Sequence, residues 1–231
     1  MAIYRFSPQS GQTSSGFDSL GGMIGYRSAS LAGVIVKKMP QNGLVFYAPL
    51  KSVQNLNMTG TPQFITKDGI PCASFDGESY LSATVPDIPQ GTAARTLSCW
   101  FRVHNGTVRN FTAILATGHP VESEGFTLGL NANRRLEVWG CGNDNTYSFT
   151  PDYEKFYHAA VTFDDTSEKL YINGTLIQSK SHYDLNTVGK EVYIGSESGD
   201  TLLQGEVAAV RIYNRVLTAE EIQQLSTEFS I

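Results

Sequence analysis

The sequence predicts an all-β fold, an antiparallel two-sheet jelly-roll sandwich with a short C-terminal helix and an extended N-terminal arm. Three observations carry this. From residue 44 onward, apolar and β-branched runs are separated by turn signals every roughly 8–15 residues. No stretch before residue 218 reads as a long helix. Residues 1–43 show little periodicity before Leu31-Ala-Gly-Val-Ile-Val36 and hold seven Gly and seven Ser, the composition of an arm.

The strands follow in order. Leu44-Val-Phe-Tyr-Ala-Pro-Leu50 is β-rich and ends at a proline. Phe75-Asp-Gly-Glu-Ser-Tyr-Leu81 places a short turn before a strand. In Thr96 to Val103 the residues alternate: Leu97, Cys99, Phe101 and Val103 take one side, and Ser98, Trp100 and Arg102 the other. Gly125 to Leu130 and Arg135 to Trp139 flank Asn131-Ala-Asn-Arg134, a hairpin signal. His158 to Phe163 turns through Asp164-Asp-Thr-Ser167 into Lys169 to Ile172. Asn173-Gly174 then closes a tight hairpin, because both residues tolerate positive φ. Glu191 to Gly195 and Gln204 to Tyr213 supply two more strands. Thr218-Ala-Glu-Glu221 is a capping box, and Ile222 and Leu225 give the helix it starts an apolar stripe.

Composition excludes several classes. Apolar residues are 41% of the 231, aromatics 11% and charged residues 17%, which argues against disorder and against a coiled coil. Residues 1–43 carry Arg5, Arg27, Lys37 and Lys38 against Asp18, while the remainder is acidic within a net charge of −5. An acidic body lacks the cations that neutralise phosphates, so no nucleic-acid partner is expected. No apolar run approaches the ~18 residues of a membrane span, so no membrane insertion is expected. The first thirty residues lack a basic segment followed by an apolar one. The expectation is a fragment beginning at an added Met1, or a chain made and used without Sec export. Cys72, Cys99 and Cys141 cannot all pair within one chain, and they read as small core or strand residues.

The sequence resembles the laminin-G-like, concanavalin A-like jelly-roll superfamily over residues about 44–226. The resemblance runs through Leu44 to Leu50, Ser74-Phe-Asp-Gly-Glu-Ser-Tyr-Leu81, Thr96-Leu-Ser-Cys-Trp-Phe101 with an outward Trp, and Tyr157 to Phe163 with Leu170-Tyr-Ile-Asn-Gly174. It closes on Val210-Arg-Ile-Tyr-Asn-Arg-Val-Leu-Thr-Ala-Glu-Glu-Ile222. The resemblance implies the fold and says little of the ligand. Many relatives carry acidic residues before Val-Arg-Ile-Tyr that join the Phe-Asp-Gly aspartate at a calcium ion. Ala208 and Ala209 stand there in this sequence, and Asp76 alone is a weak start for a hard cation. No metal or other cofactor is expected, and structural calcium is not supported.

Glycoside hydrolysis needs two carboxylates across the scissile bond, and the family's E-x-D-x-x-E strand is absent. Glu122-Ser-Glu124 reads as a loop, and Asp164, Asp165 and Glu168 as a solvated turn. His104, His119, His158 and His182 are scattered, with His158 reading as a hydrogen-bonded structural residue. The N-glycosylation-like tripeptides at Asn57, Asn105, Asn110 and Asn173 read as polar turns. Trp139 runs into Gly140-Cys-Gly-Asn-Asp-Asn-Thr-Tyr147. One reading makes Trp139, Asn143, Asp144, Asn145 and Tyr147 a sugar site, in which aromatics stack on ring C–H faces and amides bond hydroxyls. The other makes the tryptophans filling and Asn143-Asp-Asn145 a turn.

Arm and fold together imply a non-enzymatic structural and binding protein displayed on a larger assembly, such as a phage virion decoration, fibre or tail component. The arm, with Tyr4, Phe6, Phe17 and Tyr26, either packs along its own domain or docks on other subunits. The loops around residues 104–124 and 140–152 would face outward for host glycan contact at the virion surface. The alternative is a carbohydrate-binding module of a bacterial surface system, extracellular or at the cell surface; a glycoside hydrolase is third.

Overall fold

A computed structural model describes residues 39–105, 111–140, 142, 144–181 and 185–229. The expected arm residues Tyr4, Phe6, Phe17 and Tyr26 lie outside these, as do Cys141, Asn143 and His182. The chain divides into two units, Met1–Val36 and Lys37–Ile231. Residues 39–43 belong to the second unit and are bonded to its C-terminal strand end: Tyr213 donates to the Pro40 carbonyl, Arg215 to that of Asn42, and the Asn214 amide to that of Gly43.

The described strands are β1 (Leu44–Ala48), β2 (Asn57–Thr59), β3 (Gln63–Lys67), β4 (Ile70–Asp76), β5 (Tyr80–Thr84), β6 (Arg95–Val103), β7 (Phe111–Gly118) and β8 (Gly125–Asn131). They continue as β9 (Leu136–Trp139), β10 (Asn145–Thr146), β11 (Tyr157–Phe163), β12 (Ser167–Ile172), β13 (Thr175–Ser181), β14 (Glu191–Ile194) and β15 (Gln204–Tyr213), followed by helix α1 (Ala219–Leu225). One sheet runs β13-β12-β11-β6-β15-β4-β3, with β1 also on β15; the other runs β10-β9-β8-β7-β14-β5-β2. All described strand pairs are antiparallel, so the jelly-roll sandwich with one short C-terminal helix is realised.

The core lies between the sheets. The expected inward set of β6, Leu97, Cys99, Phe101 and Val103, meets Phe126, Leu128, Val192 and Ile194 of the facing sheet. Cys72 and Cys99 are buried and unpaired, and burial pushes their thiols up to about 11 and about 12. Trp100 points away from this core, as the resemblance implies, but it is not an open surface. It is 1% exposed, edge-on to Phe229 at 5.5 Å and close to His158 at 5.6 Å. The C-terminal segment therefore covers the part of the first sheet's outer face around Trp100. The apolar stripe of α1, Ile222 and Leu225, packs on the same face against Tyr171, Tyr213 and Leu217.

The local signals form as read. Asn173 and Gly174 both adopt positive φ, 48° and 79°, between β12 and β13. Both halves of the capping box are made: Thr218 Oγ1 accepts from the Glu221 amide at 3.3 Å, and Glu221 Oε2 from the Thr218 amide at 2.9 Å. Arg215 grips the same carboxylate at 2.6 and 2.7 Å. Thr218→Ala is expected to cost about 1 kcal/mol, read as a lower urea midpoint at unchanged slope.

Three expectations are corrected. Residues 111–118, expected in an outward loop, form β7 in the middle of the second sheet. Residues 145–146, expected in the other outward loop, pair as β10 with Val138 and Glu137. Glu168 is no solvated rim: it stands opposite Phe163 in β12, so the pleat turns it inward, where it is fully buried.

Candidate functional site

The outer face of the second sheet carries a row of opposed residues. Trp139 is opposite Thr127, Thr127 opposite Ala116, Ala116 opposite Tyr193, Tyr193 opposite Ser82, and Ser82 opposite Asn57. Directly opposed residues share a face. Their chain neighbours Phe126, Leu128, Val192, Ile194, Leu81 and Ala83 belong to the core, so the row faces away from it. Trp139, Thr127 and Ala116 are buried, 5%, 0% and 2% exposed, so the row opens to solvent at Tyr193, Ser82 and Asn57, and this open part is the outer trough.

Each aromatic is positioned by something specific. A Cβ on Gly129 would fall 2.3 Å from Trp139 Cη2, so the indole lies directly on the glycine backbone. Phe111, 43% exposed, stands edge-on to Trp139 at 5.7 Å. On the other side Tyr193 pairs with Tyr80, their rings 6.2 Å apart and tilted by 56°. Between them reaches Glu197, from the loop between β14 and β15; its Oε1 accepts from Trp139 Nε1 and Thr127 Oγ1, both at 2.9 Å. That loop is held by backbone bonds between Glu197 and Asp200, and by the Ala113 amide donating to the Thr201 carbonyl at 2.8 Å. A second carboxylate, buried Glu137, accepts from Asn131 Nδ2 at 2.7 Å and from Thr146 Oγ1.

The charge on this sheet has one sign. Its seven strands contain Glu137 and Glu191 but no Lys, Arg or His. The first sheet carries Arg95, Arg102 and Arg211 together with lysines of β3, β12 and β13. Partly exposed tyrosines beside fixed acceptors suit C–H faces and hydroxyls. The acidic surround disfavours anions.

Of the five residues expected to bind sugar, Asn143 lies outside the described residues, and the other four are not brought together. Trp139 belongs to the row, but at 5% exposed under Phe111 it serves as floor. Tyr147, 1% exposed, lies on the opposite side of the sheet, in the core. Its hydroxyl donates to Glu168 Oε1 at 2.6 Å, and burial followed by the Glu168 charge pushes its pKa far up. Asn145 donates to the Ser181 carbonyl at 3.3 Å, and exposed Asp144 accepts from the Gly142 amide at 3.4 Å. Tyr147 is thus withdrawn from any surface platform by the pleat. Tyr80, Tyr193, Phe111 and Glu197 were missed, although Val192-Tyr-Ile194 already shows an aromatic alternating with core residues.

Residues 75–223 match the family model of the concanavalin A-like lectin/glucanases superfamily. The chain belongs to this superfamily. No curated protein matches it. Among solved structures it is similar to domain 4 of a GH43 extracellular arabinanase from Geobacillus stearothermophilus in complex with arabinotriose. That match has a TM-score of 0.65 and 20% identity, covering 81% of this chain and 100% of that one. It is also similar to Trypanosoma rangeli sialidase (0.62, 18%, 81% of this chain and 33% of that one). A botulinum neurotoxin serotype D/C binding domain matches at 0.63 and 15% identity, with 80% and 52% covered. At these identities the likeness is one of fold, shared with carbohydrate-binding and glycosidase-associated domains.

The calcium ion of many superfamily members does not fit the residues here. Ala208 and Ala209, which replace the acidic pair, are buried in an apolar cluster with Ile70, Cys72, Trp100 and Phe156. Asp76 uses Oδ1 to hold its turn, accepting from Ser79 Oγ at 2.7 Å and the Glu78 amide at 3.0 Å. Those bonds, the Ser79 hydroxyl first, hold its carboxyl below the usual range. Among the described residues no group of three or more His, Cys, Asp or Glu side chains could hold a metal ion. No described helix is long and apolar enough to cross a membrane.

Proposed function

We propose that this chain is a non-enzymatic glycan-binding jelly roll that takes neutral, polyhydroxylated chains along the outer trough of its second sheet. The observation that carries this is the row from Trp139 to Asn57, with Tyr193 and Tyr80 partly exposed beside Glu197 and no cation in any of its strands. Aromatic faces take the C–H side of a sugar ring, and carboxylate and hydroxyl groups take its hydroxyls. Binding without hydrolysis is supported by the carboxylates themselves. Glu137 is buried under two donors, and Glu197 Oε1 is engaged by two more.

Residues 1–43 would join the domain to a larger assembly on which it is displayed, a virion decoration, fibre or tail component. The support for that part is the Gly- and Ser-rich composition interrupted by Tyr4, Phe6, Phe17 and Tyr26. A free module of a bacterial surface system would use the same trough, and the arabinanase domain in complex with arabinotriose favours that second reading. Either places the trough outside the cell.

Calorimetric titration with neutral oligosaccharides, arabinotriose among them, and with sialylated oligosaccharides tests the reading. Saturable binding of a neutral chain is expected, with the sialylated ones weaker. Tyr193→Ala should weaken it at least tenfold, about 1.4 kcal/mol, with little change in melting temperature. Absence of heat with every glycan would defeat the proposal.

A further inference from the structure

The outer face of the first sheet holds a cavity of about 500 Å³ at its β3–β4 end, lined by Thr61, Gln63, Ser74, Asp76, His104 and Gln204. Its volume lies within the roughly 300–1,000 Å³ of small-molecule sites. Two rows of the sheet converge on it. Gln63, Ser74, Glu206 and Arg102 are successive opposed partners across β3, β4, β15 and β6, and Asp76 stands opposite Gln204 in the next row. The His104 amide donates to the Gln204 carbonyl, which closes the second row.

The polar groups are fixed from behind. Glu206, almost fully buried, accepts from Ser74 Oγ at 3.2 Å and from Arg102 at 2.7 Å, and bonds His104 Nε2 at 2.9 Å. Arg102 also pairs with Glu154. One serine and one histidine of the lining are therefore held by a single buried carboxylate, whose charge is balanced by Arg102 beside it in the same row. The Gln204 side chain lies on Gly77, where a Cβ would stand 2.8 Å from Cγ and Nε2, and Gly77 sits at φ +86°. Its terminal amide has no hydrogen-bond partner among the described residues. Asp76 uses only Oδ1 in its turn.

The lining dictates the ligand's chemistry. It has no Lys or Arg, and its one histidine is bonded to Glu206, so an anion meets no uncompensated cation. It mixes acceptors (Asp76, the amide oxygens) with donors (the amide NH₂ groups) and with hydroxyls that do both. An ammonium group, all donors, would leave the Gln204 NH₂ unmatched, whereas Gln63 Nε2 already donates to the Thr61 carbonyl at 2.9 Å. Vicinal hydroxyls match the set, because each one donates and accepts. No aromatic face lines the cavity: Phe75 contributes to its wall but is turned into the core. A ring therefore enters by its hydroxyl-bearing edge rather than by stacking.

We infer that this pocket is a second saccharide site, separate from the outer trough of the other sheet, that binds a single neutral sugar unit edge-on. Two sites on opposite outer faces would let one chain engage two glycan strands at once. Amide chemical-shift titration of the full chain with D-galactose, D-mannose and L-arabinose, each to about 100 mM, reads millimolar binding directly. At least one sugar is expected to shift the amides of Gln63, Ser74, Asp76, His104 and Gln204. Gln63→Ala and Gln204→Ala should each weaken that response at least fivefold, and Tyr193→Ala should leave it unchanged. Gln63 is exposed on an edge strand, so its variant keeps the test valid should Gln204→Ala disturb the fold. No shift at these amides with any of the three sugars overturns the inference. So does a response that survives both glutamine variants, or one that disappears with Tyr193→Ala.

Discussion

Lowering the pH from 6.5 to 4.5 is expected to cost this fold about 2.5 kcal/mol, and His158 is the group responsible. Its ring is fully buried beneath the C-terminal segment, beside Trp100, with Nε2 bonded to Ser98 Oγ at 2.9 Å. Burial first, and the Arg211 charge second, push its pKa down to about 3. An unfolded histidine takes up a proton as the pH falls through about 6.5, whereas the folded one does not until near 3. Stability is therefore complete above 6.5 and is lost by about 1.4 kcal/mol per pH unit below it. Asp76, Asp164 and Glu221, with carboxyls held low by hydrogen bonds and by Arg215, add their own loss only below about pH 4. Urea midpoints at the two pH values separate these windows. His158→Gln, which keeps a partner for Ser98, should flatten the upper one, and an unchanged slope in that variant would refute the assignment.

Arg211→Ala is expected to cost about 3–5 kcal/mol, the largest single-site loss outside the core. The guanidinium is buried, holds Glu228 through two bonds of 2.7 and 2.8 Å, donates to the Ala209 carbonyl at 3.3 Å and lies 4.4 Å from the Tyr47 ring centre. Burial works against its charge, but Glu228 more than compensates. Removing it strands a largely buried carboxylate and loosens Phe229 from Trp100. Arg211→Lys should recover only part, because one ammonium cannot make the two-pronged contact. Pairing Arg211→Met with Glu228→Gln should recover more, since no unpaired charge remains. A loss under about 1 kcal/mol for Arg211→Ala would mean that the C-terminal segment does not seal this face.

What the sequence revealed follows the range of the forces involved. Signals set by a few adjacent residues were legible: the alternation of β6, the positive-φ pair Asn173-Gly174, and the capping box at Thr218. Placement that depends on partners distant in sequence was not. Residues 112–117 read as a loop because Thr and Ala dominate them, yet these small side chains fill the middle of the second sheet and make the trough possible. Trp139 and Tyr147 looked like one site because only seven residues lie between them, but β9 and the β10 segment pair so that one faces out and the other in. Glu168 looked solvated beside Asp164 and Asp165 until its opposition to Phe163 turned it inward. The burial of Trp100 depends on Phe229, well over a hundred residues away, and no local pattern announces it.

The direct test of the outer trough is amide chemical-shift mapping with a neutral oligosaccharide, scored by which side of the sandwich responds. The trough reading predicts changes centred on Ala116, Thr127, Tyr193, Glu197 and Ser82, lost in Tyr193→Ala. Saturable binding whose shifts spare these residues, or persist in that variant, would contradict it.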